Sequence, residues 1–119
     1  MDVTLDEVRR RLGEEGLVVL DVRSPQEYRG ETAAPCDPRP GRIPGAVNLD
    51  VQELLGLSAD EVRKRLGPPE EVELVTYCHS GSRSELAAEI LTAHGYRVAN
   101  YRGSWHEWSR DPSLPAETG

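Results

Sequence analysis

The sequence predicts a single α/β domain built on a mostly parallel sheet, and three observations carry that prediction. Apolar runs at residues 17–22 and 72–77 are short, continuous and rich in Val and Leu, as in strands buried on both faces. Segments with helical spacing and amino-terminal capping signatures alternate with them. The chain has 119 residues, the size of one compact domain. A chain of this length buries roughly two thirds of its unfolded surface, so it needs no cross-links to fold.

The elements follow in chain order. Thr4 and Glu7 fit a capping box ahead of Leu5, Val8 and Leu12, and Gly13 and Gly16 close that helix. Residues 17–22, ending in Asp21-Val22, form the first buried strand. Residues 30–45 hold four prolines and three glycines and read as an irregular surface loop. Residues 46–49 make a short strand. Ser58 and Glu61 form a second capping box before Val62 and Leu66, and Pro68-Pro69 forbids continuation. Residues 72–77 run as a strand straight into Cys78. Ser82 and Glu85 predict a third capping box, with Leu86, Ala87, Ile90 and Leu91 as an apolar stripe and Gly95 as the stop. Residues 96–101 are the third main strand. Trp105 and Trp108, three apart on a short helix, read as core packing. Pro112, Pro115 and Gly119 mark residues 111–119 as a flexible tail beyond a domain of residues 1–110.

The formal charge of −7 argues against a nucleic-acid-binding face or an anionic membrane surface, since phosphates are held by clustered cations. It leaves room for a small anionic substrate, which senses the local field. Met1-Asp2-Val3-Thr4 has neither a basic n-region nor an apolar h-region, and no run has the length of a membrane span. These features predict a cytoplasmic protein with reduced thiols. The two cysteines and three histidines lack metal-type spacing, so neither metal nor cofactor is expected. Oligomeric state is not legible.

Ligands of parallel sheets bind beyond the carboxyl ends of the strands, and Asp21 and Cys78 both fall at such ends. Cys78 opens the run Cys78-His79-Ser80-Gly81-Ser82-Arg83. Gly81 permits a tight turn that aims amide N–H groups inward. The helix starting at Ser82 directs its positive end at the loop, and Arg83 adds a permanent cation. Together they form an anion cradle with a thiol at its base, a setting that favours the nucleophilic thiolate. The competing reading is an inert core cysteine. The cradle suits two chemistries: thiolate attack on a bound phosphate, or capture of one sulfur atom as a persulfide. Cysteine loops that transfer phosphoryl groups generally hold one more residue between Cys and Arg. The shorter loop fits a single sulfur.

At this point the chain resembles a rhodanese-type sulfurtransferase domain over residues 2–109. Four segments carry the resemblance, in order: Leu20-Asp21-Val22-Arg23 with Glu27-Tyr28; Gly41-Arg42-Ile43-Pro44-Gly45-Ala46; the loop from Cys78 to Arg83; and Tyr101-Arg102-Gly103-Ser104-Trp105-His106-Glu107-Trp108. The resemblance implies a three-layer rhodanese-like domain, with a central sheet of about five strands flanked by helices. It also implies a persulfide on Cys78, backbone amides of residues 79–83 around the bound sulfur, and Arg83 on the sulfonate of the donor. Thiosulfate is then the usual donor, and cyanide, a thiol or a sulfur-acceptor protein takes the sulfur. Cell-cycle dual-specificity phosphatases are similar in fold and carry the longer loop. A phosphatase or arsenate reductase, and a non-catalytic binding module, are therefore the alternatives.

The chain departs from the family pattern at Arg42, where His is usual, at Arg102, where an acidic or small residue is usual, and in a lengthened loop at residues 31–40. Long loops of this kind resemble the catalytic half of two-domain thiosulfate sulfurtransferases. Arg42 and Arg102 are expected to enlarge a basic rim. Asp21 is expected to orient a loop through backbone N–H bonds. Arg23 and Glu27, four apart, are expected to pair with each other, with Arg23 as a substrate contact the alternative. His79 is expected to expose its side chain within the loop, and His106 has no evident role. Cys36, in the flexible loop, is either an inert surface thiol or a resolving thiol for the Cys78 persulfide.

Overall fold

The computed structural model describes residues 1–119. The elements are β1 (Asp2–Val3), α1 (Leu5–Arg11), β2 (Leu17–Asp21), α2 (Pro25–Arg29), β3 (Val47–Asn48), α3 (Val51–Leu54), α4 (Ala59–Leu66), β4 (Glu73–Tyr77), α5 (Ser82–Ala93), β5 (Arg97–Tyr101) and α6 (Ser104–Trp108). The five strands form one sheet in the order β1-β5-β4-β2-β3, and every pairing is parallel. The predicted α/β architecture with flanking helices is what the chain adopts.

Strand alternation divides the core into two layers. Val19, Val75, Tyr77, Ala99 and Tyr101 face one side, where they meet Val8 of α1 and Trp105 and Trp108 of α6. Leu20, Leu74 and Cys78 face the other side, against Val51 and Leu54 of α3, Val62 and Leu66 of α4, and Ala87 and Leu91 of α5. Both tryptophans are fully buried, so truncating either to Ala costs about 3–5 kcal/mol.

The capping boxes at Thr4/Glu7 and Ser58/Glu61 are formed as predicted. A further box, Ser24 with Glu27, starts α2 behind Pro25. The expected box at Ser82/Glu85 is absent: Gly81, at φ 102°, precedes α5 and no side chain caps it. Leu86, expected on the apolar stripe, is exposed, while Ser84 takes a buried place on the inner face.

Residues 30–45 are irregular in backbone but firmly attached. The Arg39 guanidinium donates to the carbonyls of Ser109, Trp108, Asp111 and Leu114, and Trp105 Nε1 donates to Arg39 O. Residues 111–119, expected as a loose tail, lie against this loop. Leu114 is buried, Trp108 Nε1 donates to Pro115 O, and Arg42 and Glu117 exchange backbone hydrogen bonds. Gly41, at φ 114°, lets Glu117 O approach so closely that a Cβ there would collide with it. Proline content marked this segment as non-helical but did not reveal that Leu114 and Arg39 anchor it.

Candidate active site

Cys78 follows the last residue of β4, and strand alternation sends its side chain to the face opposite Tyr77. The residue is 1% exposed. The loop beyond it is shaped by where its carbonyls are held. Cys78 O accepts from Trp105 N at 2.9 Å and His79 O from His106 N at 2.9 Å. Gly81 O accepts from the Ser84 hydroxyl at 3.1 Å and from Glu85 N at 3.0 Å. In a trans peptide the next N–H points opposite to the carbonyl. Tying these oxygens to α5 and α6 therefore turns the amides of His79, Ser80 and Ser82 the other way. The amides of His79, Ser80, Ser82, Arg83 and Ser84 donate to no other protein group. The Gly81 amide donates to Cys78 Sγ at 3.1 Å.

This geometry needs glycine at Gly81. Its φ of 102° is left-handed, and a Cβ would lie 2.7 Å from Arg102 O. A second special position supports the loop from below. Ser104, at φ 56°, is fully buried; its hydroxyl donates to Tyr101 O at 2.8 Å and accepts from Cys78 N at 3.1 Å. Sequence reasoning passed over Ser104. Its only signal was its place in the carboxy-terminal motif, because no propensity predicts a serine at positive φ.

Burial pushes the Cys78 thiol up. Hydrogen bonding from Ser84 and from the Gly81 and Ser80 amides outweighs that, and the thiol titrates below its ordinary value. At rest the Ser84 hydroxyl is committed to Gly81 O, so the direct donor to sulfur is the Gly81 amide. Arg83 contributes charge from the first turn of α5. Its Nη1 lies 2.9 Å from Glu27 Oε1 on α2, and that bond holds the guanidinium charged. Burial raises Glu27, but Arg83 and the Ser24 amide more than reverse this, so Glu27 stays ionised.

The predicted supporting rim is arranged differently. Glu27 pairs with Arg83 rather than with Arg23. The four-residue rule assumes an intervening helix, and α2 begins only at Pro25. Arg23 instead turns inward, donates to both Asp21 carboxylate oxygens and to Gly41 O, and lies between the Tyr77 and Trp105 rings. Asp21 also accepts from Arg23 N, the expected backbone bond, and from the Tyr77 hydroxyl. Both residues are buried on the face opposite the Cys78 side chain. Arg42 stacks on Tyr28 and donates to Tyr28 O and Gly119 O. Arg102 pairs with Asp2 and approaches Glu85. Neither is a free rim cation. The His79 side chain, expected in solvent, is half-buried beside Asp37.

The comparisons with known proteins agree with this architecture. Residues 4–111 match the model of the rhodanese-like domain family. A thiosulfate sulfurtransferase of Azotobacter vinelandii is 41% identical over 90% of this chain and 42% of its own. A putative mitochondrial thiosulfate sulfurtransferase of Schizosaccharomyces pombe is 39% identical over 85% of this chain and 69% of its own. The crystal structure of a probable thiosulfate sulfurtransferase superimposes with a TM-score of 0.81 at 42% identity, over 98% of this chain and 47% of that one. An anaerobic ergothioneine biosynthesis enzyme from Chlorobium limicola superimposes at 0.82 with 31% identity, over 99% of this chain and 32% of its own. The chain thus spans less than half of several of these relatives. Sequence and fold nevertheless agree along almost all of it, and the protein belongs to the rhodanese-like domain family.

Proposed function

We propose that the protein is a sulfurtransferase that carries sulfane sulfur as a persulfide on Cys78. The observation that carries this reading is the ring of otherwise unpaired amides from a six-residue loop, one of them already donating to Cys78 Sγ. The Cys78 thiolate attacks the outer sulfur of thiosulfate. The S–S bond of the donor breaks, and sulfite departs with the electron pair. The cradle amides and Arg83 hold the negative charge that moves between the donor and the Cys78 persulfide. An acceptor nucleophile then attacks the outer sulfur; cyanide gives thiocyanate, and the thiolate is regenerated. Splitting the transfer into two displacements is ordinary nucleophilic catalysis.

In this reading His79, Ser80, Gly81, Ser82 and Arg83 bind the transferred sulfur and the donor's anionic end. Thiols and a sulfur-acceptor protein are further acceptors. The names of the relatives support thiosulfate as donor, and the short loop, with Arg83 drawn toward Glu27, does not favour a phosphate. We take the protein to work in the cytoplasm, where thiols are kept reduced. Both cysteines are unpaired, and no helix is long and apolar enough to cross a membrane.

Intact mass after incubation with thiosulfate tests the proposal. One added sulfur is expected, removed by cyanide as thiocyanate and absent in Cys78→Ser. An unchanged mass with no thiocyanate would rule the reading out.

A further inference from the structure

The long loop at residues 31–40 brings two ligating side chains to residues far away in the chain. Cys36 Sγ lies 3.7 Å from His79 Nε2 and 3.9 Å from His106 Nδ1. Asp37 Oδ1 lies 3.1 Å from His79 Nε2, 3.8 Å from His106 Nδ1 and 4.0 Å from Cys36 Sγ. All four ligand atoms fall within 4.8 Å of one another. A tetrahedral zinc ion with Zn–N and Zn–O near 2.1 Å and Zn–S near 2.3 Å spaces its ligands about 3.4 Å apart for N and O, and about 3.6 Å when sulfur is one of them. Five of the six separations depart from these spacings by no more than about 0.4 Å, Asp37–His79 being the short one, and the sixth pair, His79 with His106, lies within 4.8 Å.

Two further facts favour a cation here. The Asp37 side chain is 2% exposed, yet the groups beside its carboxylate are two imidazoles and the Cys36 thiol, with no arginine or lysine within ion-pair distance. A carboxylate withdrawn from water requires a positive partner. The ligands are also held before any ion arrives. His106 N donates to His79 O, Arg110 Nη2 donates to Cys36 O at 2.7 Å, and the two imidazoles pack edge to face. Spacing along the chain disclosed none of this, because three separate segments converge.

The geometry points to a four-coordinate site for a divalent transition ion of the zinc class, with Cys36, Asp37, His79 and His106 as ligands. One thiolate, two imidazoles and a carboxylate suit Zn²⁺ and are too soft for Mg²⁺ or Ca²⁺. On binding, the Cys36 thiol releases its proton to solvent and no bond is oxidised or reduced. The ion clamps the loop at residues 31–40 onto His79, the residue next to Cys78. It therefore fixes one wall of the sulfur cradle without touching Cys78.

Cobalt titration of the Cys78→Ser protein, in which Cys36 is the one remaining thiol, tests the site. One equivalent of Co²⁺ should produce tetrahedral d–d bands and a sulfur-to-cobalt charge-transfer band, and one equivalent of Zn²⁺ should bleach both. Cys36→Ala should abolish the charge-transfer band. His106→Ala should weaken Co²⁺ binding at least about 100-fold, since loss of outer-shell partners alone costs 10–100-fold. Both substituted residues are exposed in part or in full, so the fold should survive, which circular dichroism checks. Absence of the charge-transfer band at millimolar Co²⁺, or a band of equal affinity in His106→Ala, would overturn the site.

Discussion

Two polar assemblies lie at the carboxyl ends of the same strands, one on each face of the sheet, and they are built on opposite plans. On one face Asp21, Arg23 and Tyr77 satisfy one another: a bidentate carboxylate–guanidinium pair, a hydroxyl donor, and a carbonyl acceptor in Gly41. On the other face the loop after Cys78 ties down the carbonyls of Cys78, His79 and Gly81 and leaves every amide from His79 to Ser84 except that of Gly81 without a protein partner. A saturated network rigidifies the fold, whereas a row of amides pointing one way is incomplete until an anion joins it. Saturation, more than charge or position at the rim, separates the framework from the candidate site.

The difference predicts a double dissociation, which is the largest effect expected. Asp21→Ala strands the buried Arg23 guanidinium and should cost about 3–5 kcal/mol of stability, read by denaturant unfolding. Cys78→Ser should leave stability almost unchanged and lower sulfur transfer to the uncatalysed background, read as thiocyanate formed. Equal destabilisation by both changes would mean that the two faces do not differ as described.

Gly81→Ala probes the cradle without touching sulfur. The new Cβ would require a left-handed backbone and would press on Arg102 O. The loop must shift, and transfer should fall by about two orders of magnitude, given the sensitivity of oriented displacements to an ångström of misplacement. Unfolding should be only modestly affected. Activity close to wild type would show that the Gly81 amide is dispensable.

How far the sequence foretold this division depends on the range of the interactions. The strands, the capping boxes at Thr4 and Ser58, and the Cys78 loop were legible, because each is written in residues a few positions apart. The expected Ser82/Glu85 box failed where function competes with local rules: Gly81 turns its amide to the sulfur, and no cap forms. The two-residue strand β1 is too short to leave a pattern. The exchange of partners among Asp21, Arg23, Glu27 and Arg83 joins separate elements. So does the attachment of Ser104 to Cys78 and the meeting of Cys36 with His79. Nothing short of the folded chain specifies them.

Titration offers a smaller, graded test. The folded Cys78 thiol titrates below its ordinary value, so persulfide formation should rise with pH along a curve whose midpoint lies below that of a free thiol. The sign for stability follows. A lowered acid contributes stability that is full above the unfolded thiol's value and is lost as pH falls through the folded one. Cys78→Ser should remove that part of the pH dependence. A rate profile centred on the free-thiol value would mean that the amides do not stabilise the thiolate.

Glu27 gives the finest adjustment, because it lies between the two plans. Its carboxylate is a satisfied structural group, capping α2 through Ser24, yet it also holds Arg83, the one arginine of the cradle. Glu27→Gln keeps an acceptor for the Ser24 amide and removes a negative charge. The local field at Cys78 becomes more positive, so the thiol should titrate lower still, and the KM for thiosulfate should fall a few-fold with little change in stability. Since Arg83 is partly exposed and screened by solvent, the effect stays small. A rise in KM instead would show that orientation of Arg83 by Glu27 outweighs its neutralisation, and Glu27 would then belong functionally to the cradle rather than to the framework.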